Sequence, residues 1–282
     1  MKQLLLLIIG FICIGCVLNL PESNPEVVIR DSNSAVQARN DYAVKNNLPL
    51  EYKNDFGMRF SLVPPGTYMV GSPLTEPNRQ KKEAPHLVTI TKGFYIGVTE
   101  VTQTEWLHIM EENPSKFVGN DLPVDQVMYE DAVEYSKAAS SMGEIKYRLP
   151  TEAEWEIACR AGTSTPFNAS NDLKEVGWYC DNSESKTHPV GGKKPNHFGL
   201  YDMHGNVWEW TADISGEYPA GNLTDPKTTS GGGGNHVKRG GSCVTSPTIC
   251  RSAYRYLYAP MVYRHANTGF RLVFSADQLK AK

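Results

Sequence analysis

The 282-residue sequence has little excess charge of either sign and lacks the motifs of several common enzyme classes. Its 28 Lys and Arg residues against 31 Asp and Glu residues leave a formal charge of −3, so no general field attracts nucleic acid or an anionic membrane. The sequence contains no His-Glu-x-x-His pattern, no Gly-Lys-Ser/Thr phosphate loop and no Gly-x-Ser-x-Gly elbow. These absences argue against a zinc protease, a nucleotide enzyme and a serine hydrolase.

Apolar runs of membrane-spanning length are also lacking, although a shorter run lies near the start. The run from Leu4 to Cys16 follows a positively charged residue, and this pattern is typical of a secretory signal peptide. Cys13-Ile14-Gly15-Cys16 resembles a bacterial lipoprotein box, although Cys13 stands where Leu, Val or Ile is usual. Plain secretion is therefore the alternative. We expect a signal peptide over residues 1–15, a lipid anchor at Cys16, and export to the bacterial cell envelope.

The remaining composition indicates one globular domain on a polar tether. With 40% hydrophobic and 21% charged residues, the chain can bury one sizeable core. Residues 16–55 are rich in Asn, Asp, Ser, Glu and Pro, which predicts a tether with a short helix near Ala35 to Val44. The domain is then expected over residues 56–275, followed by a short tail over 276–282.

Helix start and stop signals place three helices in the domain. Two Thr-x-x-Glu segments, Thr102–Glu105 and Thr151–Glu154, are capping boxes, in which each side chain satisfies the other residue's exposed main-chain N–H. A third helix is expected from about Glu130 to Met142, ended by Gly143. Three carboxylates near the second helix start are interpreted as dipole and cap partners rather than as catalytic acids. They are Glu152, Glu154 and Glu156.

The stretch from Phe198 to Trp210 contains four large aromatics, two carboxylates, two Gly and an Asn, a mixture that fits neither an amphipathic helix nor a half-buried strand. A loop around a cation is one interpretation. Asp202 and Glu209 would offer hard oxygen ligands, and Gly205 would turn the main chain so that its carbonyls point inward. The alternative is an aromatic core loop whose carboxylates cap nearby N–H groups.

Six segments, in order along the chain, resemble the formylglycine-generating enzyme (sulfatase-modifying factor) family and cover roughly residues 56 to 274. They are Pro64–Ser72, Val98–Thr102, Arg148–Glu156, Phe198–Trp210, Arg239–Ser242 and Gly269–Arg271. The resemblance implies an α+β fold, a C-type-lectin-like variant with short strands, a few helices and much irregular backbone. It also accounts for the Gly-, Asn- and Ser-rich region 162–241, which is long for a loop region in a compact domain.

The resemblance also implies calcium as a cofactor. Carried over position by position, one calcium site uses two side chains and two main-chain carbonyls. The side chains are those of Asp202 and Glu209, and the carbonyls are those of Gly205 and Val207. The family's other calcium site would fall near Asn182 and Ser183, but the following loop is shorter here and no acidic ligand is assigned to it.

The family's oxidase uses two closely spaced Cys residues after the Gly-Gly-Ser segment. They bind copper(I), a soft ion suited to thiolates, and activate oxygen to convert a substrate Cys into formylglycine. Here Cys243 and Cys250 are seven residues apart, where the active family shows five. Pro247 stands close to the position expected for the second Cys. As copper ligands, the two residues would need a strand bend that brings them to one side.

The alternative is a structural role for the cysteines. Cys243 and Cys250 could join Cys159 and Cys180 in disulfides, which persist in exported proteins. The resemblance favours a pairing of Cys159 with Cys250, although the family's strand Cys aligns nearer Ser252.

A substrate groove is a further implication of the resemblance. Trp208 would form an aromatic wall, Ser242 would offer a hydroxyl, and Arg255 would hold a carboxylate or a main-chain carbonyl. Their alternatives are a core aromatic, a strand-end cap and a buried ion-pair partner. We therefore expect a calcium-stabilised module that binds an extended peptide, a protein or a glycan, or acts in assembly. The other hypothesis is a copper-dependent oxidase that makes formylglycine or performs a related oxidation. The sequence assigns no oligomeric state.

Overall fold

The computed structural model describes residues 27–168, 170–218, 221–259 and 264–280. The expected signal peptide and the expected lipid anchor at Cys16 lie outside the described residues. Within the described ranges, no helix combines the length and the apolar character that crossing a membrane requires.

Short strands and short helices alternate with long irregular segments. The helices are α1 Ser32–Asn46, α2 Gln103–Leu107, α3 Tyr129–Ser141, α4 Glu152–Arg160, α5 Leu173–Val176 and α6 Asp277–Lys280. The strands are β1 Val28–Ile29, β2 Glu51–Lys53, β3 Arg59–Val63, β4 Gly66–Val70, β5 His86–Ile90, β6 Phe94–Gly97, β7 Gly177–Trp178, β8 His204–Gly205, β9 Trp208–Ile214, β10 Leu223–Thr224, β11 His236–Arg239, β12 Tyr256–Ala259, β13 Thr268–Gly269 and β14 Val273–Ser275.

In the described ranges the strands form three four-stranded sheets, of which the first below is antiparallel and the other two are mixed, and one strand pair. Their orders are β14-β6-β3-β2, β1-β4-β5-β10 and β12-β11-β9-β13, and β7 pairs with β8. In the third sheet, β9 runs antiparallel to β11 and parallel to β13. This architecture confirms the expected α+β class with short strands and few helices.

The N-terminal segment is part of the domain, so the expected tether over residues 16–55 is wrong for residues 28–53. β1 pairs in parallel with β4, and α1 buries Ala35, Arg39 and Ala43 on one face. The buried Arg39 guanidinium donates to the Leu50 carbonyl and to the Ser61 hydroxyl, both at 2.8 Å. Composition missed this docking because the buried face of α1 consists of two alanines and an arginine rather than large apolar residues.

The predicted helix signals are confirmed within about one residue. Thr102 with Glu105, and Thr151 with Glu154, form both hydrogen bonds of the capping box. The third helix is Tyr129–Ser141, against the expected Glu130 to Met142. α4 ends in left-handed backbone at Ala161 and Gly162. Gly162 has a second reason to be glycine, because a Cβ there would lie 2.3 Å from the Asp31 carbonyl oxygen.

The stretch from Phe198 to Trp210 connects two hydrophobic clusters. Phe198, Leu200 and Met203 pack with Trp155 of α4 in one cluster, whereas Trp210 packs in the other with residues of α3 and the C-terminal strands. This path fixes the stretch in the interior of the domain. It also brings β9, which carries the expected site residues Trp208 and Glu209, beside β11 and β13.

Candidate functional site

Arg255, expected to line a substrate groove, lies inside the domain. Its Nε and Nη2 atoms donate to the two carboxylate oxygens of Glu152, each at 2.7 Å. Both side chains are buried, and the guanidinium lies 3.7 Å from the centre of the Tyr218 ring. A cation committed in this way to a buried carboxylate is not presented to a ligand. The ion-pair alternative therefore describes Arg255.

Glu152 and Glu156 belong to the same buried ionic network. Arg239 contacts both carboxylates, and the Arg160 Nε atom donates to Glu156 at 2.8 Å. Glu156 also accepts a hydrogen bond from the Gly71 main-chain N–H at 2.8 Å. None of these interactions is a helix cap, so the cap interpretation holds for Glu154 alone. The conclusion that these carboxylates are structural is unchanged.

Asn267, which the sequence analysis did not single out, joins Trp208 and Ser242 by hydrogen bonds. The Asn267 carbonyl accepts from the Trp208 main-chain N–H at 2.8 Å, and the Asn267 side chain donates to the Ser242 hydroxyl at 3.0 Å. Trp208 and Ser242 are themselves buried. Two partly exposed tyrosines, Tyr254 and Tyr256, extend the aromatic surface of Trp208, with ring centroids 6.1 and 5.2 Å away.

A buried lysine lies at the base of this aromatic group. The Lys238 Nζ atom is 5.1 Å from the ring centroids of both Trp210 and Tyr256 and donates to the Thr268 hydroxyl at 3.2 Å. Burial lowers the pKa of Lys238 to about 8. In the sequence, Lys238 directly precedes the matching segment Arg239–Ser242, and this position was its sequence signal.

The cysteines do not form the expected disulfide. All four described Cys residues are free thiols, and only Cys180 is exposed. The Cys159 sulfur lies 3.6 Å from the Ser252 hydroxyl, so its neighbour is the position with which the family's strand Cys aligns, rather than Cys250. The His204 ring contacts both sites, with Nδ1 2.7 Å from the Cys250 carbonyl oxygen and Nε2 3.8 Å from the Cys159 sulfur.

The two Cys residues expected as copper ligands are buried, which disfavours their thiolate forms. Burial raises the pKa of Cys243 and of Cys250 to about 12, and the Cys250 sulfur lies 3.2 Å from the Thr245 hydroxyl. Copper(I) binds thiolates, which these surroundings disfavour. Within the described part of the chain, no three His, Cys, Asp or Glu side chains converge as metal ligands.

The residues expected to bind calcium fit a cation unequally. Glu209 is committed to the protein, because its two oxygens accept from Arg271 at 2.7 Å each and one also accepts from the Trp155 indole at 2.8 Å. Asp202 uses one oxygen to accept from the Gly191 N–H at 2.7 Å, while its other oxygen is buried without a partner. Asp202 therefore fits a cation and Glu209, in this arrangement, does not.

The other residues expected at the two calcium sites, Gly205, Val207, Asn182 and Ser183, are held by packing or hydrogen bonds. Gly205 lies in β8 against β7, and a Cβ there would lie 1.9 Å from the Trp178 carbonyl oxygen, so only glycine fits. Val207 is buried between β8 and β9. At the second expected site, Asn182 instead closes a turn by accepting from the Tyr179 N–H at 2.8 Å, and the Ser183 hydroxyl donates to the Cys243 carbonyl.

Residues 51–276 match the sulfatase-modifying factor enzyme 1-like domain, which spans most of the chain. The chain belongs to this family. The elements β1 and α1 of this chain precede the matched segment.

The chain is similar to several named proteins. Mouse formylglycine-generating enzyme is 32% identical over 200 residues, which cover 64% of this chain and 50% of that protein. Chaperone protein LppX of Paenibacillus barcinonensis is 34% identical over 170 residues, 42% of this chain and 61% of that protein. Treponema denticola variable protein 1 has a TM-score of 0.72 at 29% identity, covering 80% of this chain and all but 1% of that structure. The chain thus spans about half to three fifths of these two curated relatives.

Glu100 is a further buried carboxylate near Asp202, and it is not among the expected calcium ligands. Glu100, in the segment between β6 and α2, is 1% exposed, and neither of its carboxylate oxygens has a hydrogen-bond partner. Burial, followed by the nearby Asp202 carboxylate, raises its pKa well above the ordinary value. Glu100 belongs to the matching segment Val98–Thr102, but nothing in that segment's pattern distinguishes a ligand from a structural acid.

Proposed function

We propose that this protein is an exported binding module that uses the sulfatase-modifying factor fold without the family's copper chemistry. The observation that supports this most directly is the state of Cys243 and Cys250. Both are buried thiols, and both have a pKa near 12. A copper(I) oxidase needs two thiolates that converge on one ion and face a substrate. The loss of Arg255 to a buried pair with Glu152 points in the same direction.

The binding surface that we propose is one face of the sheet β12-β11-β9-β13, called here the aromatic face. It consists of the partly exposed Tyr254 and Tyr256, whose rings lie beside the buried Trp208 and Lys238. Aromatic rings beside a cation suit stacking on peptide side chains or sugar rings, and they are typical of recognition surfaces. The ligand class is therefore an extended peptide, a protein or a glycan.

The names of two relatives support recognition over oxidation. One structural relative is a variable protein by name, and sequence variation suits the recognition of differing partners better than one fixed oxidation. Another relative is named a chaperone, which fits a role in assembly. Formylglycine-generating enzymes at about one third identity support the alternative function, a copper-dependent oxidase of a substrate cysteine.

The two functions are separated by copper(I) binding and oxygen consumption of the full-length protein. Copper(I) is titrated in competition with a chromophoric chelator, and oxygen uptake is followed with a cysteine-containing peptide. We expect no stoichiometric thiolate site and no aldehyde product. A tight one-to-one site that is lost in Cys243→Ser and in Cys250→Ser, but kept in Cys180→Ser, would establish the oxidase instead.

The binding function is tested with a displayed peptide library and a glycan array as probes. We expect Trp208→Ala and Tyr256→Ala to weaken retained ligands at least tenfold, since a central aromatic anchor carries much of an interface's binding energy. Val118→Ala is the control, because Val118 is 80% exposed in a different region. Ligands that bind all variants equally well would exclude the aromatic face as the binding surface.

We also propose that the protein is lipid-anchored in the cell envelope through Cys16. The basis is the lipoprotein box in the sequence, and the name of the relative LppX accords with it. Metabolic labelling with a fatty acid should mark the wild-type protein in the membrane fraction and should not mark Cys16→Ser. Equal labelling of the two proteins would exclude Cys16 as the lipidated residue.

A further inference from the structure

Leu74 is a large apolar side chain that an ordered loop holds in solvent. It is 78% exposed and lies in the loop between β4 and β5. The Ser72 N–H donates to the Glu83 carbonyl at 2.9 Å and joins the two ends of this loop. The Glu76 N–H donates to the Pro73 carbonyl at 3.0 Å and closes a turn that contains Leu74. Because these bonds fix the backbone, the loop itself keeps Leu74 away from the core.

A buried arginine holds the loop against the domain. Arg251 donates to the two carboxylate oxygens of Glu83 at 2.8 Å each and to Glu76 at 2.6 Å. It also donates to the Asn78 carbonyl at 3.1 Å. All three ionic side chains are buried. Glu76 and Glu83 are the two acids in the loop, so the negative charges of the loop face Arg251 in the interior.

The exposed charges of the loop are positive. Lys81 is exposed, and Arg79 and Lys82 are partly exposed. Arg30, which follows β1, is a further exposed cation, and the exposed acid beside it, Asp31, caps α1. This part of the surface is therefore more basic than the chain as a whole, whose formal charge is −3.

Apolar side chains continue from Leu74 onto the edge strand β1 and its neighbour β4. Val28 lies opposite Thr67, and since side chains alternate along a strand, Val28 and Met69 lie on the same face of the sheet. Val27, Val28 and Met69 are each between 43% and 49% exposed. A cavity of about 220 Å³ between β1, β4 and the loop is lined by residues of all three. We call this surface the docking face, and it consists of Val27, Val28, Met69 and Leu74 with the cations Arg30, Arg79 and Lys81.

The distance along the chain to Cys16 indicates what covers the docking face. Val27 follows Cys16 by eleven residues, which span at most about 36 to 40 Å when fully extended. A lipid group on Cys16 would therefore hold this face close to a membrane. We propose that the docking face lies on that membrane, with Leu74 inserted among the lipid headgroups and the cations facing anionic lipids. This inference rests on the proposed lipid anchor and is independent of the aromatic face and of the thiols.

The contact adds to the lipid anchor and orients the domain. A single acyl chain gives only marginal and reversible membrane binding, and a second signal such as a basic patch makes the attachment stable. Each Lys or Arg near an anionic surface strengthens binding about fivefold, and burial of a Leu side chain strengthens it about tenfold or more. These contributions are large enough to keep the domain in one orientation on the membrane.

The experiment places an environment-sensitive fluorophore at position 74 of the full-length, lipidated protein in vesicles of phosphatidylglycerol and phosphatidylethanolamine. Leu74→Cys is made in a Cys180→Ser background, in which the other described thiols are buried and stay unlabelled. We expect a blue-shifted emission that spin-labelled lipids quench. Val118→Cys is the control, because Val118 has a similar exposure of 80% in the segment after α2, and its label should stay in water. Equal emission and quenching at the two positions would overturn the docking face.

The charge of the lipids provides a second measurement. Lys81→Gln should lower the ratio of docked to undocked label about fivefold in anionic vesicles and leave it unchanged in phosphatidylcholine vesicles. Lys137→Gln, which alters an exposed lysine on α3, is the matched control, and an equal effect of the two substitutions would overturn the role of the cations. If fatty-acid labelling shows no lipid anchor, the fluorescent protein is added to preformed vesicles instead. Quenching at position 74 would then still support the docking face, and its absence would overturn it, so failure of the anchor and failure of the face are distinguished.

Discussion

Two buried groups of charges in this domain are built from similar residues and differ in completeness. Around α4, Glu152 and Glu156 are enclosed by Arg239, Arg255 and Arg160, and both carboxylates have arginine partners within hydrogen-bond distance. Around the loop before β8, a single arginine serves Glu209, and three oxygens of the adjacent acids have no partner. The first group is closed by arginine partners, whereas the second leaves buried oxygens without hydrogen-bond partners, which is the arrangement that a cation would fit.

Breaking the closed network should have the largest effect. Arg255→Met leaves the buried Glu152 carboxylate without its two-pronged partner, and we expect a loss of about 3 to 5 kcal/mol in the free energy of unfolding. Urea denaturation measures this loss. The double variant Glu152→Leu with Arg255→Met should recover much of it, because no unpaired charge then stays behind. Weakened ligand binding at unchanged stability would instead show that Arg255 serves a ligand.

Lys238 is a buried base, and its contribution to the free energy of unfolding should depend on pH. Its pKa, lowered by burial to about 8, lies below the unfolded value of about 10.4. The unfolded chain therefore binds more protons between these pH values, and wild-type stability should rise with pH by about 3 kcal/mol from pH 8 to pH 10.5. Lys238→Met should lack this rise and should be more stable than the wild type at pH 7. Parallel pH profiles for the two proteins would contradict the assignment.

Substitution of Glu100 should change the free energy of unfolding less than Arg255→Met does, and in the opposite direction. In EDTA, Glu100→Gln removes a buried carboxyl group whose ionised form is disfavoured by burial, so we expect a gain of about 1 to 2 kcal/mol in the free energy of unfolding. If calcium binds beside Asp202, as the resemblance implies, and Glu100 lies close to the ion, the order should reverse in saturating calcium. Denaturation curves with and without calcium measure both signs. A loss of stability in EDTA would indicate a structural role for the Glu100 carboxylate.

Local signals explain most of what the sequence predicted well. The capping boxes of α2 and α4 depend on residues three positions apart, so the sequence alone reveals them. The pair Arg255–Glu152 and the pair Arg271–Glu209 join residues 103 and 62 positions apart. Those distant arginines decide which buried carboxylate keeps oxygens without a hydrogen-bond partner, and the sequence alone does not reveal this. The docking of α1 was missed for the related reason that its buried Arg39 bonds to Ser61 on β3, 22 positions along the chain.

The thiols should show the smallest effect on stability and still distinguish the two functional hypotheses. Cys180 is exposed, whereas Cys159, Cys243 and Cys250 are buried with pKa values raised to about 12 by burial. Alkylation of the native protein at pH 8 should therefore label Cys180 first, with the buried thiols reacting only as the protein unfolds, because the thiolate is the reactive species. Mass spectrometry of peptides from labelled protein reads out each site, and Cys180→Ser provides a background without the exposed thiol. Fast and equal labelling of Cys243 and Cys250 would mean that both thiols reach solvent as thiolates, which is the arrangement that a copper oxidase needs and a binding module does not.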